Sequence, residues 1–209
     1  MAKIEPFEKY ATKYEDWFTS HKFAYESELK AVRQHLPLNK KGIEIGVGSG
    51  RFAAPLGIKF GVEPSTRMRE IARSRGIEVI AGVAEAIPLK DSTFDFALLV
   101  TTICFVDDLA ASFREAYRIL KPGACLIIGF IDRDSPMGKL YDKHKKDSVF
   151  YHMANFRSAG EVISVLEKTG FGGLAFSQTI FKDLSNADRV EPVKSGYGEG
   201  SFVVIRATK

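Results

Sequence analysis

Three glycines, Gly46, Gly48 and Gly50, alternate with other residues directly after the apolar run Gly42-Ile43-Glu44-Ile45. The run is typical of a buried strand, and glycine adopts positive φ angles while placing no side chain between the backbone and a ligand. Glu63 ends a second apolar run, 58–63. At neighbouring tips of a parallel sheet, such a turn can approach a ligand closely while the carboxylate accepts hydrogen bonds from ribose hydroxyls. The spacing therefore predicts a nucleoside site at the carboxyl edge of a sheet.

The composition is that of a globular protein. The chain has 209 residues, a 45% hydrophobic share and a formal net charge of +4, so we expect a single domain over 1–209. No apolar run reaches the roughly 20 residues of a membrane helix, and the first residues lack the apolar core of a signal peptide. We therefore predict a cytoplasmic protein without a membrane span. Dispersed basic residues make nucleic acid an unlikely partner.

The two cysteines, Cys104 and Cys125, both lie inside apolar runs and lack metal-ligand spacing. We expect free thiols in the core and no metal site.

Strand and helix patterns alternate after the glycine turn. The sequence predicts strands at 42–45, 58–63, 77–81, 94–100 and 124–131, a very short helix at 51–56, and helices at 65–74 and from Asp107 or Asp108 to about Leu120. This alternation favours an α/β fold with a doubly wound parallel sheet. After a helix that Ser158 caps, two strands at 174–181 and 201–207 are expected to form a hairpin.

Two segments outside this alternation are expected to cover the site. Residues 1–38 predict two helices, the first carrying aromatic residues at 7, 10, 14, 17 and 18 on one face. They either pack against the core or place Tyr10 or Tyr14 over a ligand. Residues 132–157, here called the cap, mix lysines with aromatic residues after the fifth strand. We expect the cap to be helical and to select an anionic or aromatic small molecule.

The order of motifs resembles the class I S-adenosylmethionine-dependent methyltransferases, most closely the small-molecule, ubiquinone-biosynthesis-like branch. The similarity rests on Glu44-x-Gly46-x-Gly48-x-Gly50, Glu63-Pro64-Ser65, the loop 84–89, Phe94-Asp95 with its long strand, and 120–124 before the fifth strand. The resemblance implies a seven-stranded, mostly parallel Rossmann-like sheet whose last strand is antiparallel. It also implies S-adenosyl-L-methionine as cofactor.

The same resemblance implies roles for individual residues. Glycines of the turn would line the methionine and ribose parts of the cofactor, Glu63 would bind the ribose hydroxyls, and residues at the tips of the third and fourth strands would border the adenine and the sulfonium. The implied cofactor-binding residues are Tyr14, Glu44, Gly46, Gly48, Gly50, Glu63, Pro64, Ser65, Ala84, Glu85, Ile87, Thr101 and Thr102.

A general base is harder to identify from this sequence. Related enzymes often carry histidine just after the fourth strand, where this chain has Ile103-Cys104-Phe105. The weak candidates are in the cap: His144, Tyr151, His152 and Asp132, each of which is more typical of a surface or packing residue. Methyl transfer by in-line displacement mainly requires alignment of the reacting atoms, and a base only for an acceptor that carries a proton of high pKa.

Two other functions stay open at the level of sequence. A nicotinamide-dependent oxidoreductase would need Gly-x-Gly-x-x-Gly, whereas the third glycine here follows the second after one residue. A non-catalytic S-adenosylmethionine-binding module would need no base at all. The expected function is methyl transfer to a small-molecule acceptor.

Overall fold

The computed structural model describes residues 3–209, except the side chain of Ser185. Met1 and Ala2, the start of the expected N-terminal cover, lie outside these residues. The helices are α1 Glu5–Lys9, α2 Ala11–Ser20, α3 Lys22–Arg33, α4 Thr66–Ser74, α5 Leu109–Ile119, α6 Pro136–His144 and α7 Ala159–Lys168. The strands are β1 Gly42–Ile45, β2 Phe60–Val62, β3 Glu78–Ile80, β4 Phe94–Val100, β5 Leu120–Ile131, β6 Gly172–Thr179, β7 Lys194–Ser195 and β8 Phe202–Thr208.

The strands form one sheet in the order β3-β2-β1-β4-β5-β8-β6-β7. The first five strands in this order are parallel to one another, and β8 is antiparallel to both β5 and β6. The α/β fold and the antiparallel last strand are therefore as expected. Over residues 3–209 the sheet has eight strands rather than seven, because β7 adds a two-residue edge to β6 through Ser177 and Gln178.

The core lies in two layers, one on each face of the sheet. One layer packs α5 and α7 against β4 and β5, with Phe113 and Leu166 fully buried. The other packs α3 and α4 against the opposite face, with Val32 and Ala72 fully buried. Helices on both faces confirm the doubly wound arrangement and leave the carboxyl ends of the parallel strands as the open edge.

Two local predictions were wrong. The expected helix at 51–56 is a series of turns, in which Gly57 adopts a φ of +75°. The aromatic stripe of 7–18 is divided between α1 and α2 by a break at Tyr10, whose φ and ψ are −120° and 33°. Thr66 N–H donates to Glu8 at 2.5 Å, so α1 is held by α4 rather than continuing α2.

The cap covers the carboxyl edge of β4 and β5, as expected, through α6 and two short 3-10 turns at Lys145–Asp147 and Tyr151–Met153. Phe150 joins it to the N-terminal helices, with ring centroids 5.6 Å from Phe7 and 6.0 Å from Tyr14. The cap and the N-terminal helices therefore meet over the sheet edge.

Candidate functional site

One cavity of about 740 Å³ lies beneath the cap and the N-terminal helices. It begins at Glu63 and Pro64 after β2 and reaches Ile131 at the end of β5. In the sheet β2 and β5 are separated by β1 and β4, so at about 4.8 Å per strand the cavity spans roughly 14 Å. It is long enough to have two ends with different linings.

Glu63 connects the tips of β1 and β2. Its Oε2 accepts a hydrogen bond from Gly48 N–H at 2.9 Å, and its Oε1 accepts one from Ser65 N–H at 2.8 Å. The side chain is only 7% exposed, and burial raises its pKa although both backbone donors and Arg69 oppose that rise. Each oxygen keeps an acceptor position, so the carboxylate can take further donors from a ligand.

The glycine turn leaves space that a side chain would fill. Gly46 and Gly48 have φ angles of +69° and +52°, and both line the cavity. A Cβ on Gly48 would lie 3.3 Å from the Tyr14 hydroxyl, and one on Gly46 would lie 2.4 Å from Thr102 Cγ2. The turn therefore requires glycine both for its backbone conformation and for its close neighbours.

Glu44 lies behind this turn with an unsatisfied oxygen. It is buried, and its Oε2 finds no hydrogen-bond partner among the described residues. Burial raises its pKa well above the usual value, against a backbone hydrogen bond from Ala53. Tyr14 lies above the same turn, where burial and the charges of Glu44 and Glu63 raise its pKa.

Glu15 fixes the helix that carries Tyr14. Its carboxylate pairs with Arg51 at 2.5 Å and also binds Arg75, which donates to Ser49 O at 2.5 Å. These hydrogen bonds lower the pKa of Glu15 despite its partial burial. They attach α2 to the C-terminal end of the glycine turn, at Ser49 and Arg51.

The other predicted cofactor residues fall into two groups. Pro64, Ala84, Glu85, Thr101 and Thr102 line the cavity. Thr102 Oγ1 donates to Val100 O at 3.0 Å, and Glu85 Oε1 accepts from Asp107 N–H at 2.7 Å.

Gly50, Ser65, Ile87 and Glu44 are not part of its lining. A Cβ on Gly50 would lie 2.4 Å from Ile77 Cδ1, so Gly50 serves packing behind the turn. Ser65 caps α4 by accepting from Met68 N–H, and Ile87 is a core residue whose N–H donates to Glu115.

Only one of the suggested base candidates reaches the cavity. Tyr151 lines it, but burial raises the pKa of its hydroxyl well above the usual value, so it stays protonated. His144 and His152 are exposed, and His152 Nδ1 lies 2.9 Å from Val149 O. Asp132 is buried and accepts from Asp134 and Ala159 N–H groups, which is a structural role.

Sequence reasoning missed Glu28, which lines the far end of the cavity. The side chain is 5% exposed, and burial raises its pKa to about 8. A signal was available, because Glu28 lies on the same helical stripe as the buried Ala24, Ala31 and Val32. An acid on an apolar stripe is a candidate for a functional carboxylate.

The near end of the cavity fits an adenosyl sulfonium. S-adenosylmethionine offers hydroxyl and ammonium donors, which match the free acceptor positions of Glu63 and the partnerless oxygen of Glu44. Its positive sulfonium also suits a site with buried carboxylates. Within residues 3–209 no cluster of metal-binding side chains occurs, and no helix is long and apolar enough to cross a membrane.

Comparisons with known proteins agree with this geometry. The profile of a family described as "Methyltransferase domain" matches residues 43–128. A crystal structure from Thermotoga maritima, described as a SAM-dependent methyltransferase and possible histamine N-methyltransferase, is 56% identical with a TM-score of 0.96 and 99% of both chains covered. An uncharacterized protein from Methanocaldococcus jannaschii is 49% identical, covering 97% of this chain and 98% of its own. Demethylmenaquinone methyltransferase of Chlorobaculum tepidum is 34% identical over 48% of this chain and 46% of its own.

The fold, the site and these relatives define an S-adenosylmethionine-dependent methyltransferase. The chain belongs to the class I methyltransferase superfamily, and S-adenosyl-L-methionine is its cofactor. The sequence prediction of this class was correct, and the nicotinamide-dependent and non-catalytic alternatives are set aside. The narrower branch stays a prediction.

Proposed function

We propose that this enzyme methylates a small molecule bound beneath the cap, at the end of the cavity away from Glu63. The observation that carries the proposal is the continuity of one cavity from Glu63, at the tip of β2, to Tyr141 in α6. A macromolecule would need an open groove, whereas here the cap and the N-terminal helices meet through Phe150. Most ligand sites of comparable size bury small molecules.

We assign the cofactor to the near end. Glu63 binds the ribose hydroxyls, the backbone at Gly46 and Gly48 borders the ribose and methionine parts, and Glu44, behind the turn, accepts from the amino group through water. Tyr14 closes over the turn. The hydrogen bond from Gly48 N–H to Glu63 supports this assignment, because it holds the turn and the carboxylate next to each other.

The remaining cofactor contacts follow from the tips of β3 and β4. Pro64, Ala84 and Glu85 border the adenine, and Thr101 and Thr102 lie under the sulfonium. All five residues line the cavity, which supports their assignment as cofactor contacts. Gly50, Ser65 and Ile87 act one layer behind, since each packs or caps the backbone that the cofactor touches.

Transfer requires positioning more than acid or base chemistry. The cofactor supplies a methyl group already activated on a sulfonium, and in-line alignment of reacting atoms can account for about 7–11 kcal/mol of a barrier. The exposed histidines of the cap and the protonated Tyr151 are poorly suited to take a proton in the cavity, which supports a transfer step that depends on positioning. Acceptors that are nucleophilic without losing a proton in the transfer step are therefore favoured.

The cavity lining narrows the class of methyl acceptor that the composition of the cap suggested. The aromatic residues Tyr141, Phe150 and Tyr151 line the cavity, whereas the lysines of the cap do not. Lys145, for example, pairs with Asp142 at 2.9 Å. This supports an aromatic or apolar surface for the acceptor and speaks against the anionic alternative. We further propose a cytoplasmic location, because Cys104 and Cys125 are free and buried.

Two measurements test the proposal. Thermal unfolding should shift upward with S-adenosylmethionine and S-adenosylhomocysteine and not with NADH, following the logarithm of ligand excess over Kd. Transfer of a tritiated methyl group to a metabolite panel should give a small-molecule product, and the same assay with tRNA and peptide pools should give none. Labelling confined to the macromolecules would refute a small-molecule acceptor.

A further inference from the structure

Glu28 differs from the other carboxylates that line the cavity. Glu63 and Glu85 accept backbone hydrogen bonds, Asp108 accepts from Ala111 N–H, and Asp107 lies 3.7 Å from Lys3. Within the part of the chain that the structure describes, no donor lies within hydrogen-bonding distance of the Glu28 carboxylate. A buried carboxylate is normally paired, so an unpaired one in a cavity indicates a ligand that pairs with it.

Aromatic rings surround the same end of the cavity. Tyr141 and Tyr151 stack with their ring centroids 5.2 Å apart, and burial, with a smaller contribution from Glu28, raises the pKa of both hydroxyls. Trp17 of α2 lines the cavity as well. A carboxylate beside several aromatic faces attracts a cation by charge pairing and by cation–π contact.

The position of Glu28 separates it from the proposed cofactor contacts. It is on α3, which packs against β5, β6 and β8, and it shares the cavity wall with Met137 of α6 and Leu184. Glu63 and the glycine turn lie at the tips of β2 and β1. Glu28 therefore faces the space left for the acceptor.

Resting on the proposed function, we infer that Glu28 and the surrounding aromatic rings bind a protonated amine of the methyl acceptor. Binding of the ammonium group releases the carboxyl proton to solvent and leaves a carboxylate paired with the cation, which offsets the cost of burying its charge. A protonated nitrogen has no free electron pair, so the nitrogen held by Glu28 is not methylated while it is held. The acceptor class is thus a small apolar amine with a second nucleophilic atom directed toward the sulfonium.

Intrinsic fluorescence offers a direct binding assay, because Trp17 is the single tryptophan of the chain and lines the cavity. In saturating S-adenosylhomocysteine, three amines of different shape, 2-phenylethylamine, hexylamine and cyclohexylmethylamine, are titrated beside the alcohols of the same skeletons. We expect at least one amine to bind roughly 10- to 100-fold more tightly than its alcohol. Glu28→Gln should reduce that ratio to about one, with unchanged affinity for S-adenosylhomocysteine by calorimetry.

The matched control is Glu26→Gln, because Glu26 is a half-buried acid of the same helix that lies 3.7 Å from Lys22 and outside the cavity lining. It should leave the amine preference intact. Glu28→Met serves as a second variant of similar volume if the glutamine variant fails to fold. Equal binding of amines and alcohols, no binding of any amine, or a preference that survives the loss of Glu28 overturns the inference. Failure of the unaltered protein to bind S-adenosylhomocysteine would instead overturn the proposed function.

Discussion

Replacing Glu63 by alanine should weaken cofactor binding more than any other single change near the glycine turn. In the structure each carboxylate oxygen already accepts one backbone hydrogen bond, at 2.9 and 2.8 Å, which fixes the group in place before the ligand arrives. The carboxylate is only 7% exposed, so little further desolvation is needed on binding. Preorganised groups of this kind contribute most of their interaction energy to affinity.

The expected loss of binding free energy in Glu63→Ala follows from the number of hydrogen bonds to the cofactor that are lost. Two ribose hydroxyls donating to a charged group contribute about 1.5–3 kcal/mol each, or about 3–6 kcal/mol together. The Kd for S-adenosylhomocysteine should therefore rise by roughly 10²- to 10⁴-fold. Glu63→Gln should cost less, since it keeps one oxygen acceptor, although its amide NH₂ must face either Gly48 N–H or Ser65 N–H.

Isothermal titration calorimetry at neutral pH measures both variants, with thermal unfolding as the check on folding. Glu70→Ala is the matched control, because Glu70 is an exposed acid of α4 that pairs with Arg67 at 3.1 Å. We expect its Kd to stay within about twofold of the original, as for other surface ion pairs. A folded Glu63→Ala protein with undiminished affinity would refute the assignment of this carboxylate to the ribose.

Three further changes test other parts of the site. Gly46→Ala should reduce the affinity for S-adenosylhomocysteine by more than about tenfold, because the new Cβ would lie 2.4 Å from Thr102. Gly57→Ala is the control, because Gly57 has a similar φ angle but open space around it, and it should leave the affinity unchanged. Equal losses for the two variants in calorimetry would contradict this prediction. Glu15→Gln should lower the free energy of unfolding by about 1–3 kcal/mol in urea titrations, because it removes the ion pairs of Glu15 with Arg51 and Arg75. An unchanged urea midpoint would contradict this prediction. Between pH 4.5 and about 8, Glu28 carries a proton in the native state, whereas the unfolded state has released it. The free energy of unfolding should therefore fall with rising pH in this range, by up to about 1.4 kcal/mol per pH unit. Glu28→Gln should thus gain stability over the original protein as pH rises from 5 to 8, and a gain independent of pH would show that the carboxyl titrates normally.

Local signals predicted much of the sheet and its edge. β4 occupies Phe94–Val100 as expected, since a continuous apolar run between turn residues suits a central parallel strand. Ser158 caps α7 as expected and completes a capping box with Glu161, and Ser65 caps α4 at the start of the helix expected at 65–74. Order and spacing of the motifs were sufficient for the class of enzyme because they describe one continuous sheet edge.

Features set by contacts between distant segments could not be predicted in this way. Beside the break at Tyr10, α1 is held to α4 by the hydrogen bond from Thr66 to Glu8, which are 58 positions apart. The edge strand Lys194–Ser195 exists only because Ser177 and Gln178 of β6 lie beside it. Glu28 precedes the whole sheet in the chain, and its place in the cavity becomes visible only when α3 packs against the far end of the sheet.

The position of β8 has a consequence for biosynthesis. β5 and β6 do not pair with each other, because β8 lies between them and pairs with both. While a ribosome is still making Phe202–Thr208, the nascent polypeptide exposes two open strand edges and the apolar faces that Phe202, Val203 and Ile205 later bury. Such edges attract chaperones and other unfinished chains. The sheet can therefore close only after β8 has been synthesised, when this one strand joins its two halves.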